Sequence, residues 1–325
     1  MRIGYFLSSE EYTPAELIQQ AAMAEQAGFD ALWISDHFHP WNEEQGQSPL
    51  VWSMIGAISQ VCALPVTTAV TCPTTRIHPA VLAQAAATSG VLLNGNFVLG
   101  VGSGEALNEH VTGARWPSID VRMEMLEEAV DVMRELWHGE FVTHHGPHYT
   151  VENARIYTQP ETPPPVYVSG FGQKSAELAG RIGDGYITTL PDAELLQAFR
   201  DAGGDGKPAQ AGYKVCWGID DDSCVKTAHR LWANEGLPGE LAQVLPSPRH
   251  IEQASSLVAE EMTRQAHAYG SDVHRHVDAF RPFAEAGYDE VYISQIGGSE
   301  PDSNVEGFFE FYRDTALPEL RGLAA

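Results

Sequence analysis

Eight short apolar or β-branched segments, each separated from the next by a helix-forming stretch, run from one end of the chain to the other. They are Arg2 to Phe6, Ala31 to Ser35, Pro65 to Val70, Phe97 to Gly102, Val166 to Gly170, Gly185 to Thr189, Lys214 to Gly218 and Glu290 to Gln295. Strands that alternate with helices form parallel sheets, because a parallel pair needs a long crossover connection. Eight such units in 325 residues predict an α/β fold of the (β/α)8 TIM-barrel type. A doubly wound open sheet is the alternative that shares the alternation.

Local signals mark the helices. Thr13, Pro14 and Glu16 form a capping box with proline at the first helical position; Leu17, Ala21 and Ala24 follow at helical spacing, and Gly28 ends the helix. A longer helix is predicted from about Ser118 to Trp137, with Leu126, Val130, Met133 and Trp137 on one stripe and Gly139 as its stop. Ser303 and Glu306 predict the start of the last helix. Two stretches exceed simple connections. His138 to Pro165, ending in Q-P-E-T-P-P-P, reads as a hairpin followed by a stiff polyproline II segment, and Asn234 to Gly270 reads as an insertion over the barrel mouth. Without repeats or a linker, residues 1–325 are expected to form one barrel domain with insertions at about 138–165 and 234–270.

Charge narrows the partners. Asp and Glu number 44 against 19 Lys and Arg, a formal net charge of −25, and only four of the cations are lysines. Such a surface repels phosphate backbones and anionic lipid, so neither nucleic acid nor membrane is an expected partner. A chain that is 43% hydrophobic and 19% charged is not an intrinsically disordered one. The opening M-R-I-G-Y-F-L-S-S-E-E is too short an apolar run for a signal peptide, and nothing approaches the roughly 18 apolar residues of a membrane span. A cytoplasmic location is expected. Cys62, Cys72, Cys216 and Cys224 are too scattered for a disulfide scaffold and read as buried thiols.

In such barrels the working residues follow the C-terminal ends of strands. After the second strand comes S-D-H-F-H-P-W, in which Asp36 and His37 suit an orienting acid and a general base, although a capping Asp and a solvated His fit equally. After the fourth comes G-V-G-S-G-E-A-L-N-E, Gly100 to Glu109. Its glycines allow close approach to a ligand, and Glu105 is placed for proton transfer or, alternatively, for an ion pair. The glycines lack the spacing of a dinucleotide fingerprint. After the fifth, S-G-F-G-Q-K-S-A leads a glycine-rich turn and Lys174 into a helix N-terminus, a candidate phosphate site. T-H-H-G-P-H-Y, Thr143 to Tyr149, has turn-like spacing, and no metal is expected there. T-C-P-T-T-R, Thr71 to Arg76, either lines the mouth with hydroxyls or is a turn forced by Pro73.

Together these blocks resemble the luciferase-like flavin and deazaflavin barrels, and within them the dehydrogenases that use coenzyme F420, an 8-hydroxy-5-deazaflavin. The most specific pieces are S-D-H-F-x-P-W, with Asp36, His37 and Trp41, and G-V-G-S-G-E-A-L-N-E, with Glu105 and Asn108. The resemblance implies that Asp36 contacts the deazaflavin, His37 takes the proton of the substrate hydroxyl, Trp41 packs over the hydride-transfer region and against substrate, and Glu105 is the partner acid/base. It implies that Ser103, Gly104 and Asn108 bind the ring or its side chain, and that Gly170, Phe171, Gly172, Gln173, Lys174 and Ser175 hold the cofactor phosphate. It further implies a cis peptide bulge near Ala69 and Val70 against the ring, a cofactor-lining position at Cys72 where relatives carry Thr, and a homodimer.

Departures from the pattern bear on the substrate. Thr189 is retained as a substrate-binding position, but a phosphate-binding lysine of the sugar-phosphate dehydrogenases aligns with Asp192, a second falls near Ala242, and Arg264 matches their arginine only loosely. A carboxylate in place of a phosphate-binding cation opposes an anionic substrate. The expected reaction is hydride transfer between F420 and a neutral secondary alcohol, sugar hemiacetal or corresponding carbonyl, with Asp36 steadying His37. The alternatives are an FMN-dependent monooxygenase and a barrel that binds F420 without catalysis.

Overall fold

The computed structural model describes residues 1–298 and 304–323. Eight parallel strands close into a barrel: β1 (Arg2–Leu7), β2 (Leu32–Ile34), β3 (Val66–Thr68), β4 (Phe97–Val101), β5 (Val166–Ser169), β6 (Gly185–Thr188), β7 (Ala209–Cys216) and β8 (Glu290–Gln295). Pairing of Tyr186 with Ala209 and of Arg2 with Glu290 completes the ring. Closure excludes the open doubly wound sheet. The outer faces of the strands pack on α1 (Pro14–Ala27), α2 (Val51–Ile58), α3 (Pro79–Leu92), α4 (Ile119–Trp137), α5 (Gln173–Ile182), α6 (Ala193–Phe199), α7 (Asp221–Trp232), α8 (Val273–Ala286) and α9 (Val305–Phe311).

The expected caps and stripes form. Thr13 and Glu16 make both bonds of the capping box, and Gly28 ends α1 in the left-handed region at φ 89°. Leu126, Val130, Met133 and Trp137 are buried on α4, and Gly139 follows that helix with φ 81°. The Ser303 cap lies outside the described residues; α9 is capped by Asn304, whose side chain accepts from Gly307 N. One strand is displaced from its sequence-based position: β7 begins at Ala209 rather than Lys214. Ala209 and Ala211 join the core outside the barrel, Gln210 bonds Trp33 inside it, and Gly212 leaves room for the Trp33 ring, which a Cβ there would meet at 2.5 Å.

Inside the barrel, Trp33 stacks on Tyr292 with centroids 4.5 Å apart, and Trp33 Nε1 donates to Gln210 Oε1 at 2.8 Å. Phe6 stands edge-on above Trp33 at 5.6 Å. This plug leaves Phe6, Ala69 and Val70 as the floor of the C-terminal mouth. The Ala69–Val70 peptide is cis, where the resemblance places the bulge.

The 138–165 stretch contains the hairpin Val142–His145 with Thr150–Ala154. Its imidazoles anchor it: His144 meets Glu128 at 2.9 Å and His148 meets Glu124 at 3.4 Å, both on α4. The second insertion supplies three short helices, Leu241–Val244, Pro248–Ser255 and Glu260–Ala266, before Ala268–Tyr269 adds to the edge of β7. It meets the loop after β2, where Glu43 N donates to Glu252 Oε1 at 2.9 Å. Among the described residues no helix is long and apolar enough to cross a membrane.

Candidate active site

The loop after β2 brings His37 over the mouth. His37 Nδ1 lies 3.3 Å from the His39 carbonyl and donates to it, so that in the neutral imidazole the lone pair is on Nε2. Nε2 is 3.5 Å from Glu10 Oε1 and 3.6 Å from Glu105 Oε1. The imidazole therefore stands between two carboxylates, with Trp41 on its flank at a centroid distance of 5.0 Å.

Glu10 was not singled out in the sequence, yet it is the better-held of the two acids. It is 2% exposed, and its Oε2 accepts from Ser8 Oγ at 3.0 Å and Ser35 Oγ at 2.8 Å, leaving Oε1 toward His37. Its signal was available in S-S-E-E, directly after the first strand, the position where barrels place working groups.

Asp36 does not steady His37. Its carboxylate is instead held by Thr71 Oγ1 at 2.7 Å and by Arg76 Nη2 at 3.0 Å. Arg76 also pairs with Glu109 at 3.3 Å, and its backbone N–H donates to Glu109 Oε2 at 2.7 Å. Burial works against the Arg76 charge, but Asp36 and then Glu109 more than compensate and hold the guanidinium above its ordinary value. Thr71 and Arg76 thus knit the loops after β2, β3 and β4 together.

Asn108 is also more occupied than expected. Its Oδ1 accepts from Phe38 N at 2.8 Å and His39 N at 3.0 Å, and its Nδ2 donates to Glu105 Oε1 at 2.5 Å. Rather than pointing its amide at a ligand, this 1% exposed residue clamps the His37 loop to Glu105. Cys72 is buried against Thr74, Sγ to Oγ1 2.9 Å, and lies directly beneath Gly104. Burial pushes its thiol well above the ordinary range. Gly104 adopts φ 76° and, with Ser103, is partly open at the end of β4.

The turn after β5 behaves as a helix start, with Ser175 Oγ accepting from Gly172 N at 3.2 Å. Gly170, Phe171, Gly172 and Gln173 lie at the N-terminus of α5. Lys174 does not turn into that site: its ammonium pairs with Asp120 at 3.0 Å, with a side chain 75% exposed. Thr189 is exposed just beyond β6. Asp192 caps α6, accepting from Glu194 N at 2.9 Å and Leu195 N at 3.0 Å, and Arg264 pairs with Asp222 at 2.9 Å.

A second polar group occupies the β7 side. Glu11 accepts from Gly297 N at 2.7 Å and from Trp232 Nε1, and burial pushes its carboxyl up to about 7 against those bonds. Lys214 pairs with Glu235 at 2.5 Å.

Comparisons with known proteins agree with this architecture. The family model described as luciferase-like monooxygenase matches residues 1–290. F420-dependent glucose-6-phosphate dehydrogenases of Kribbella flavida and Microbacterium testaceum are 36% and 34% identical to the chain, each alignment covering 99% of it and 99% and 98% of the relative. A solved F420-dependent secondary alcohol dehydrogenase, in complex with an F420-acetone adduct, superposes with a TM-score of 0.89 at 31% identity, covering 98% of this chain and 99% of that one. With the barrel, its strand-end residues and these matches over nearly its whole length, the chain belongs to the luciferase-like family.

Proposed function

We propose that this protein is an F420-dependent oxidoreductase that moves a hydride between the deazaflavin and a secondary alcohol, a sugar hemiacetal or the matching carbonyl. The observation that carries the reading is the placement of His37 Nε2 between Glu10 and Glu105, beside the half-buried Ala69–Val70 floor. The relatives named above supply the cofactor class.

The residues fit such a group. Ala69 and Val70 give a planar heteroaromatic ring an apolar seat backed by Phe6, Ser103 and Gly104 border it, and the α5 N-terminus is suited to a phosphate. Bound there, the deazaflavin supplies the two-electron acceptor or donor. His37 accepts the substrate hydroxyl proton at Nε2 as the C–H bond gives up its hydride and the carbonyl forms. Glu10 and Glu105 stabilise the resulting imidazolium from 3.5 and 3.6 Å. Glu105, tethered by Asn108, would release a proton to balance ring reduction and would face the imidazolium as a carboxylate once that proton is gone. Asp36 acts at a distance from this transfer: with Arg76 and Thr71 it fixes the loop that carries His37 and meets the cofactor through that loop. Trp41 shields the reacting carbon from water.

The same reading includes a homodimer and a cytoplasmic location; four buried free thiols suit a reducing compartment. An FMN monooxygenase is the competing activity in this family. Titration of apoprotein with F420 and with FMN separates the two: tight F420 binding and alcohol-dependent bleaching are expected, whereas preferential FMN binding with oxygen uptake contradicts the proposal.

A further inference from the structure

Lys214 has no part in the proton-transfer group, yet it stands in the same mouth. It lies on β7, across the barrel from the Ala69–Val70 floor after β3, with its ammonium 5.5 Å from the centroid of Phe6 and 4.0 Å from that of Trp232. Trp232 belongs to the apolar cluster that packs Trp41, and Trp41 flanks His37. Glu11, which accepts from Trp232, adjoins Glu10 in the chain, and Glu10 faces His37. Lys214 thus looks onto the space beside the reacting groups.

Its bonding is incomplete. A lysine ammonium has three N–H donors. In a residue only 9% exposed, the hydrogen bond that Nζ makes among the described residues goes to Glu235 Oε1. The rings of Phe6 and Trp232 attract the charge but do not replace oxygen acceptors. Donors are left for a ligand. The charge, by contrast, is already met: burial opposes ionisation of Glu235, but Lys214 and then His267 hold its carboxyl below the ordinary range. Burial lowers His267, against the opposing pull of Glu235. Arg76, another cation near the mouth, is held by Asp36 and Glu109. An anionic substrate would meet Glu10 and Glu105 with Lys214 and Arg76 already paired.

Resting on the proposed hydride transfer, we propose that Lys214 is a substrate-binding residue that donates to an uncharged oxygen away from the reacting carbon, and that Glu235 selects for uncharged substrates by neutralising it. Specificity then depends on a carboxylate that removes the attraction an unpaired ammonium would offer to phosphate.

Glucose and glucose 6-phosphate, differing only by the phosphate, are suitable probes. Each is titrated into F420-loaded protein with cofactor fluorescence as the signal. Wild type is expected to favour glucose. Glu235→Gln should shift the affinity ratio toward glucose 6-phosphate at least about tenfold, and the shift should vanish in the Lys214→Met/Glu235→Gln double variant. Lys214→Met alone, which keeps chain length, should weaken glucose at least about tenfold with F420 affinity retained, and this arm stands if Glu235→Gln does not fold. The inference is overturned if wild type prefers the phosphate, if the ratio is unchanged in Glu235→Gln, if the shift persists in the double variant, or if Lys214→Met binds glucose as wild type does. Failure of wild type to bind F420 would instead contradict the proposed function.

Discussion

His37 carries the chemistry in this scheme because its ring is tied at Nδ1 to the His39 carbonyl while Nε2 faces two carboxylates. Replacing His37 by Ala is expected to cut turnover at least about 100-fold while F420 affinity stays near wild type; steady-state rates and cofactor titration measure both. Glu11 makes a different prediction. Its folded value of about 7 lies above the roughly 4.3 of an unfolded Glu, so the unfolded chain releases the proton first as pH rises. The contribution of this group to stability is therefore full below about pH 4.3 and is lost as pH rises through about 7. Glu11→Gln should gain stability relative to wild type as pH increases, with the difference smallest near pH 5 and largest by pH 8, seen in urea midpoints. A difference that does not change with pH would place the folded value in the ordinary range.

At the scale of elements, Asp192 has a local role of its own. The position that a phosphate-binding lysine occupies in sugar-phosphate dehydrogenases is here the N-cap of α6, bonded to two backbone N–H groups. Asp192→Lys should cost about 1 kcal/mol through loss of the cap, and Asp192→Asn should cost only a fraction of that; denaturant midpoints of the two variants test it. The same scale explains what the sequence could and could not reveal. Strand and helix order was legible because each apolar run and each cap is a local signal. The start of β7 was not, because a glycine weakens the local strand signal and the need for Gly212 comes from Trp33, far away in the chain. His37, Glu105 and Trp41 were legible from their strand-end motifs. The direction of the Asp36 side chain was not, because it depends on Arg76 and Thr71, which lie 40 and 35 residues away in the chain. Nor could spacing show that Lys174 turns outward to Asp120.

At the scale of the whole molecule, the barrel gathers groups from β1, β2, β4 and β7 into one mouth, while a net charge of −25 surrounds it. That excess of carboxylates has an internal counterpart: Arg76 and Lys214 at the mouth are each matched by acids. The central claim is transfer of hydride from an alcohol carbon to the deazaflavin under control of His37. It is tested most directly by supplying F420-loaded protein with propan-2-ol deuterated at its central carbon and weighing the reduced cofactor. One deuterium retained in the deazaflavin, with the transfer suppressed in His37→Ala, is the expected result. Unlabelled reduced cofactor, or equal transfer in His37→Ala, would contradict it.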